Sequence, residues 1–334
     1  MRSGLGHGLQ ARWYSPAPAP RLLLGLARLY GAVVDQRRRR LARAAAQLPV
    51  PVIVVGNISV GGTGKTPFVI WLVEQLRSWG FRPGVVSRGY GGRAPAYPYT
   101  VRADSDPAHS GDEPLLIARR CGCPLVVAPD RVAAARMLLA QSPVDVVVAD
   151  DGLQHYRLAR DLEICIVDGA RGLGNGALLP AGPLREPAQR LRQVDLVVVN
   201  GDGWDDPALR VLRMQLHSEL AVALVGGQAR PLASFAGTGL VHAVAGIGHP
   251  PRFFDALRAA GIEVREHPFA DHHRYVAADL DFGDDAPVLM TEKDAVKCAA
   301  LARPHWFAVP VSVRLGPLDA ARVQESATRL RSAR

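Results

Sequence analysis

The chain has 334 residues, 48% hydrophobic and 21% charged, with 40 Lys and Arg against 31 Asp and Glu and a formal net charge of +9. That length suggests about two domains with buried cores, and the composition excludes a disordered chain. The positive balance predicts a polyanionic partner, whether nucleic acid, nucleotide or anionic membrane surface. Arginine supplies most of it, so Lys65, Lys293 and Lys297 stand out.

Pro16-Ala17-Pro18-Ala19-Pro20 blocks a helix. Residues 22–48 then read as one helix, apolar through Leu29 and Val34 and basic from Arg37-Arg38-Arg39-Arg40 to Arg43. Its charge-free run is too short to span a bilayer, and an arginine run is not a signal-peptide cleavage site. A short apolar stretch beside a basic cluster fits a helix lying in a membrane interface. From Val50 onward strands and helices alternate. Strands are expected at 52–55, 82–87, 125–128, 144–149, 162–167 and 196–200, and helices at 67–79, 113–120 and 131–140. The apolar runs are short and continuous, the pattern of a parallel sheet covered on both faces, so a doubly wound α/β domain is expected. A second, smaller α/β unit follows, with strands at 241–245, 263–268, 288–291 and 306–311 and helices at 250–260, 294–301 and 318–330. The expected division is 1–48, 49–219 and 220–334.

The sharpest signal is Ser59-Val60-Gly61-Gly62-Thr63-Gly64-Lys65-Thr66 between a predicted strand and a predicted helix. Strand, glycine-rich turn, Gly-Lys-Thr and helix make a phosphate-binding P-loop. Glycines let backbone N–H groups cradle phosphate oxygens. Lys65 reaches the β- and γ-phosphates, and the Thr66 hydroxyl is suited to Mg2+. The one departure is Ser59, where the general motif has glycine. Asp150 and Asp151 end an apolar strand, where a P-loop protein keeps its second Mg2+-organising element.

Other segments leave two readings open. Asp112, in Ser110-Gly111-Asp112-Glu113, is either a helix N-cap or a base facing the phosphates, and local sequence favours the cap. Asp271-His272-His273 suits proton relay, although an exposed polar loop is the simpler reading. Ser87-Arg88-Gly89-Tyr90-Gly91-Gly92 is a basic, aromatic loop able to hold a phosphorylated or sugar substrate. Lys293, in Thr291-Glu292-Lys293-Asp294, is either an anion contact or a helix-start charge. Asp281-Phe282-Gly283 copies a protein-kinase tripeptide by chance, since none of the accompanying motifs is present. Cys121, Cys123, Cys165 and Cys298 lack zinc spacing and read as reduced thiols.

Together with Asp150-Asp151-Gly152-Leu153-Gln154-His155, Leu179-Pro180-Ala181-Gly182-Pro183-Leu184-Arg185-Glu186 and Ala245-Gly246-Ile247-Gly248-His249-Pro250, these motifs resemble one family over about residues 22–311. It is the tetraacyldisaccharide 4'-kinase family, the lipid A 4'-kinases of Gram-negative bacteria. The resemblance implies ATP- and Mg2+-dependent phosphorylation of the 4'-hydroxyl of a lipid A disaccharide precursor, at the cytoplasmic side of the inner membrane. It implies a lipid-linked disaccharide as partner, with no nucleic acid and no obligate protein partner. It implies Asp112 as catalytic base, against the local preference for a cap, and His272 as the group that tunes it from the other domain. Lys65 would act with them. Thr66, Asp150 and Asp151 would organise Mg2+, residues 59–66 would bind ATP, and Arg88, Tyr90 and Gln154 would meet substrate. Ser59 fits this family, which does not hold glycine there. The runner-up is a P-loop GTPase or ATPase switch at a membrane surface. It predicts a guanine-reading Asn-Lys-x-Asp, which Thr291 to Asp294 does not supply. A membrane-surface binding protein with a decayed nucleotide site would have lost Lys65, Thr66 or the Asp pair, and all are present.

Overall fold

The computed structural model describes residues 12–15 and 18–332. Pro16 and Ala17 of the proline-rich stretch lie outside the described residues. Helix α1 (Arg21–Arg43) comes first. It stops short of the expected Leu48, because Ala46 pairs instead with the loop at Leu158 and Leu48 is buried. There follow β1 (Val52–Gly56), α2 (Lys65–Ser78), β2 (Pro83–Ser87) and β3 (Tyr99–Val101). Next come α3 (Asp112–Cys121), β4 (Leu125–Val127), α4 (Arg131–Gln141), β5 (Val146–Asp150), β6 (Leu162–Asp168), β7 (Leu196–Asn200) and β8 (Val211–His217).

These strands build a sheet that is parallel from β8 through β7, β6, β1, β5 and β2 to β4, with β3 antiparallel at one edge. The central strands are buried throughout. Ile53 and Val55 of β1 face an apolar cluster with α2 and α3, while Val52 and Val54 face another with α4. The alternation of side chains across a strand thus puts a helical layer on each face. Phe68 and Leu72 of α2 are fully buried, and burial of side chains this size contributes roughly 1.5–3 kcal/mol each.

The smaller sheet holds β9 (Leu220–Ala223), β10 (Ala229–Pro231), β11 (Val241–Ala245), β12 (Val264–Pro268), β13 (Val288–Thr291) and β14 (Trp306–Val309). Its order is β10-β9-β14-β13-β11-β12, with helices α5 (Pro250–Ala259) and α6 (Glu292–Cys298) packed on it. The chain then returns. Strand β15 (Ser312–Leu315) pairs antiparallel with β8 at the other edge of the large sheet. In α7 (Pro317–Ser332), Val323 and Ala327 join that sheet's core. Residues 312–332 therefore pack with the larger unit, although sequence grouped them with the smaller one. Strands β3, β8, β9, β10 and β15 were not expected. Each lies toward a sheet edge and carries exposed or half-exposed positions, unlike the fully buried central strands of the large sheet.

All four cysteines are buried and free. Among the described residues, no helix is long and apolar enough to cross a membrane.

Candidate active site

The P-loop leaves the C-terminal end of β1 and feeds α2, as its sequence dictates. Gly61 and Gly64 hold φ of +102° and +91°. A Cβ on Gly64 would sit 2.6 Å from Asn200 Nδ2, so both backbone sign and space require glycine. Asn200, at the end of β7, donates to the Thr63 carbonyl at 3.1 Å. Sequence reading did not single it out. Lys65 Nζ donates to Asn57 Oδ1 at 3.1 Å and lies 3.5 Å from Asp151 Oδ1. Ser59 is buried, and its carbonyl accepts from Asn57 Nδ2 at 2.7 Å, while Val60 N donates to Pro183 O at 2.9 Å.

Strand β5 lies beside β1, with Val55 opposite Asp150, so Asp150 and Asp151 emerge next to the loop. Burial, then the charges of Glu113 and Asp151, push the Asp150 carboxyl up to about 7. Burial acts the same way on Asp151, but Lys65 and Arg185 outweigh it and hold that carboxyl below its usual range. Asp151 has a φ of +47°, uncommon for a residue with a side chain. Asp150 Oδ1 and Asp151 Oδ1 are both buried without a hydrogen-bond partner. Two buried carboxylate oxygens without a hydrogen bond, one of them 3.5 Å from the Lys65 ammonium, supply the hard oxygen donors that Mg2+ takes, so the residues fit that ion. Among the described residues no group of three or more His, Cys, Asp or Glu is gathered for a metal. Mg2+ commonly takes only one or two carboxylates and leaves the rest to phosphate and water.

Asp112 is the first residue of α3; the N-cap position belongs to Gly111. The expected cap role fails for a local reason. Gly111 has φ +83°, and a Cβ there would lie 2.6 Å from the Tyr90 carbonyl. The Arg88–Gly92 loop thus packs backbone to backbone on the start of α3, which brings Tyr90 toward Asp112. The Asp112 side chain is 5% exposed and meets His272 of the smaller unit, whose Nδ1 lies 3.0 Å from each carboxylate oxygen. Lys293 and Lys297 Nζ each stand 3.9 Å from Asp112 Oδ2. Burial raises the Asp112 carboxyl most, but the His272 hydrogen bond and the two lysines prevail, and the net shift is downward. The bond to Asp112 holds the His272 imidazole above its ordinary value, against burial and Lys293. His272 sits at φ +60°; such outliers concentrate at functional sites.

Lys293 resolves toward anion contact. Its ammonium donates to Glu113 and to Asp271, both at 2.9 Å, and so bridges the two units. Arg120 and Glu292 close the same seam with a bidentate pair at 2.7 and 2.8 Å. The exposed Tyr90 ring lies 5.0 Å from that of His272. Arg88 is exposed on the same loop. Gln154 turns inward, donating to the Asn57 carbonyl at 3.0 Å and to Glu186 at 2.7 Å, so its amide nitrogen supports the P-loop. His273 pairs with Asp279 at 2.9 Å, away from Asp112.

A parallel sheet whose central strand opens into a Gly-Lys-Thr loop, with paired carboxylates ending the neighbouring strand, defines a P-loop nucleotide-binding α/β protein. The family model described as Tetraacyldisaccharide-1-P 4'-kinase matches residues 19–328, and the chain belongs to that family. It is 54% identical to the tetraacyldisaccharide 4'-kinase of Alkalilimnicola ehrlichii, covering 97% of this chain and 98% of that one. Identity to the Pseudomonas aeruginosa enzyme of the same name is 50%, over 92% and 93% of the two chains. Among solved structures, LpxK from Aquifex aeolicus in complex with ATP superposes with a TM-score of 0.78 at 28% identity, covering 92% of this chain and 98% of that one.

Proposed function

We infer that this chain transfers the γ-phosphoryl group of ATP to the 4'-hydroxyl of a tetraacyldisaccharide 1-phosphate, giving the 1,4'-bisphosphate of lipid A biosynthesis. Family membership over residues 19–328 supports the substrate. One observation carries the catalytic reading: the Asp112 carboxylate, kept ionised by His272, is buried where the two units meet.

The residues divide the work as follows. Backbone amides of residues 59–66 and the Lys65 ammonium bind the triphosphate and offset charge spreading over the transferred group. Thr66, Asp150 and Asp151 would hold Mg2+, which supplies further charge neutralisation on the phosphate oxygens. Asp112 accepts the sugar hydroxyl proton as the oxygen attacks phosphorus and the bond to ADP breaks. His272 and Lys293 keep that carboxylate ionised and aimed. Tyr90 and Arg88 line the side from which the sugar enters. Domain contact excludes water and limits ATP hydrolysis.

The acyl chains of such a substrate stay in the bilayer, and α1 supplies an approach to it. Leu22, Leu26, Leu29 and Val33 are 80%, 49%, 65% and 54% exposed, and only Ala27 of that helix is buried. Arg37 to Arg40 and Arg43 follow on the same helix. This combination supports a helix in the interface of an anionic membrane, at the cytoplasmic face where ATP is available. The reading as a GTPase or ATPase switch is not favoured, because membership of a kinase family accounts for residues 19–328.

Incubation of purified protein with γ-labelled ATP, Mg2+ and the disaccharide lipid tests the function. Label appearing at the 4' position supports it. Release of inorganic phosphate with unlabelled lipid sinks it.

A further inference from the structure

Asp168 ends β6, the strand next to β1, and is 3% exposed. Its Oδ1 accepts the amides of Ala170 and Arg171 at 3.1 and 3.0 Å. Its Oδ2 receives two guanidinium groups, Arg171 and Arg252, each at 3.2 Å. Arg252 belongs to α5 of the smaller unit, so one buried carboxylate joins the two units. Arg171 carries the connection onward. Its Nη2 donates to the Gly62 carbonyl, and its guanidinium lies over the Tyr14 ring at 5.5 Å. The smaller unit also touches the P-loop directly. A Cβ on Gly248 would lie 3.1 Å from Gly62 N.

The orientation of one peptide gives this contact meaning. In a planar trans peptide the C=O and the following N–H point to opposite sides. With the Gly62 carbonyl turned to Arg171, the Thr63 N–H is turned the opposite way. Gly61 and Gly62 have no side chains to fix this choice, and glycine backbones cost more to order than others. An external hold is therefore required. Exposed ion pairs are weak, but the Asp168 side chain is only 4% exposed and that of Arg171 18%. Loss of the carboxylate would leave two guanidinium groups without their counter-charge.

We propose that Asp168, Arg171 and Arg252 form a positioning triad that sets the P-loop backbone for the triphosphate and makes that setting depend on docking of the smaller unit. The inference rests on the reading of residues 59–66 as the triphosphate site. It deepens that reading by assigning residues outside the motif to nucleotide affinity.

The test uses the full chain and the variants Arg171→Met, Arg171→Lys, Arg252→Met and the Arg171/Arg252 double Met. Binding of a fluorescent ATP analogue with Mg2+ is titrated directly, and KM for ATP and for the lipid are measured separately. Arg171→Met should weaken analogue binding and raise KM for ATP by about tenfold, the scale of one lost charge-assisted contact, with KM for the lipid unchanged. Arg171→Lys should restore part of this, since an ammonium lacks the fork that serves Asp168 and Gly62 together. Arg252→Met should raise KM for ATP by about threefold, and the double variant should match Arg171→Met, as expected when one residue acts through the other. Folded Arg171→Met with unchanged nucleotide affinity overturns the proposal, as does an equal rise in both KM values. Fully additive losses overturn the dependence on docking. Should Arg171→Met not fold, Arg252→Met decides: its side chain is 36% exposed, and an unchanged KM for ATP counts against the triad. Wild-type protein that binds the analogue in an arginine-dependent way yet leaves the lipid unlabelled would refute the kinase reading and leave this one standing.

Discussion

His272 Nδ1 lies 3.0 Å from both carboxylate oxygens of Asp112, a residue 160 positions earlier in the chain and on the other unit. Two groups that shift each other in complementary directions, the carboxyl down and the imidazole up, behave as one ionic unit. Lys293 reinforces it from the same side as His272, through Glu113 and Asp271.

Asp112→Ala should lower kcat by about 10²–10⁴-fold, the range for a general base, with ATP affinity little changed. His272→Ala should cost less, about tenfold to a hundredfold, because the base itself remains. The double variant should resemble Asp112→Ala alone. A double-mutant cycle in the lipid kinase assay decides, and multiplicative losses would separate the two residues.

The pair also sets a pH dependence of stability. Asp112 is held below 3.8, so its contribution is present above that value and disappears as pH falls through the depressed one. His272 is held above 6.5, so its contribution is full below 6.5 and fades as pH rises through the raised value. The difference in melting temperature between wild type and His272→Ala should therefore be largest between pH 3.8 and 6.5. It should shrink by about pH 9. A constant difference across that range would show that His272 packs there without carrying charge.

Lys65→Ala should abolish measurable phosphoryl transfer, a loss of about 10²–10³-fold or more for a contact of this type, while the protein stays folded. Among the described residues the Lys65 ammonium meets Asn57 and Asp151, and the side chain belongs to neither apolar cluster of the larger unit. Turnover near wild type in a folded Lys65→Ala protein would remove the P-loop from the mechanism.

Replacing Leu22, Leu26 and Leu29 by Asp should release the protein from anionic vesicles without lowering its melting temperature, since these side chains are solvent-facing. Neutralising Arg37 to Arg40 should weaken vesicle binding by about 1 kcal/mol per arginine and reduce its salt sensitivity. Cosedimentation measures both. Undiminished binding of the leucine variant would place the membrane contact elsewhere.

Sequence by itself determined the parts whose chemistry is local. The P-loop needs glycines, a lysine and a hydroxyl within eight consecutive positions, so residues 59–66 declared it. Asp150 and Asp151 were legible because a continuous apolar strand ends on them. The central strands were legible because full burial on both faces leaves an unbroken apolar run. The exposed leucines and the arginines of α1 were legible as a neighbouring pair of opposite surface types. Only the tertiary structure decided what depends on distant partners. Locally Asp112 looked like a cap and His272 like part of an exposed loop; packing of Gly111 against Tyr90 and docking of the smaller unit made them a pair. Lys293 read equally well two ways until Glu113 and Asp271 met it from different units. Gln154 met the Asn57 carbonyl and Glu186, and β15 returned to the large sheet. Asn200, Asp168, Arg171 and Arg252 gave no sequence signal at all. Periodicity reports whether a side chain is buried, but not which strand edge or which charge from far along the chain will bury it.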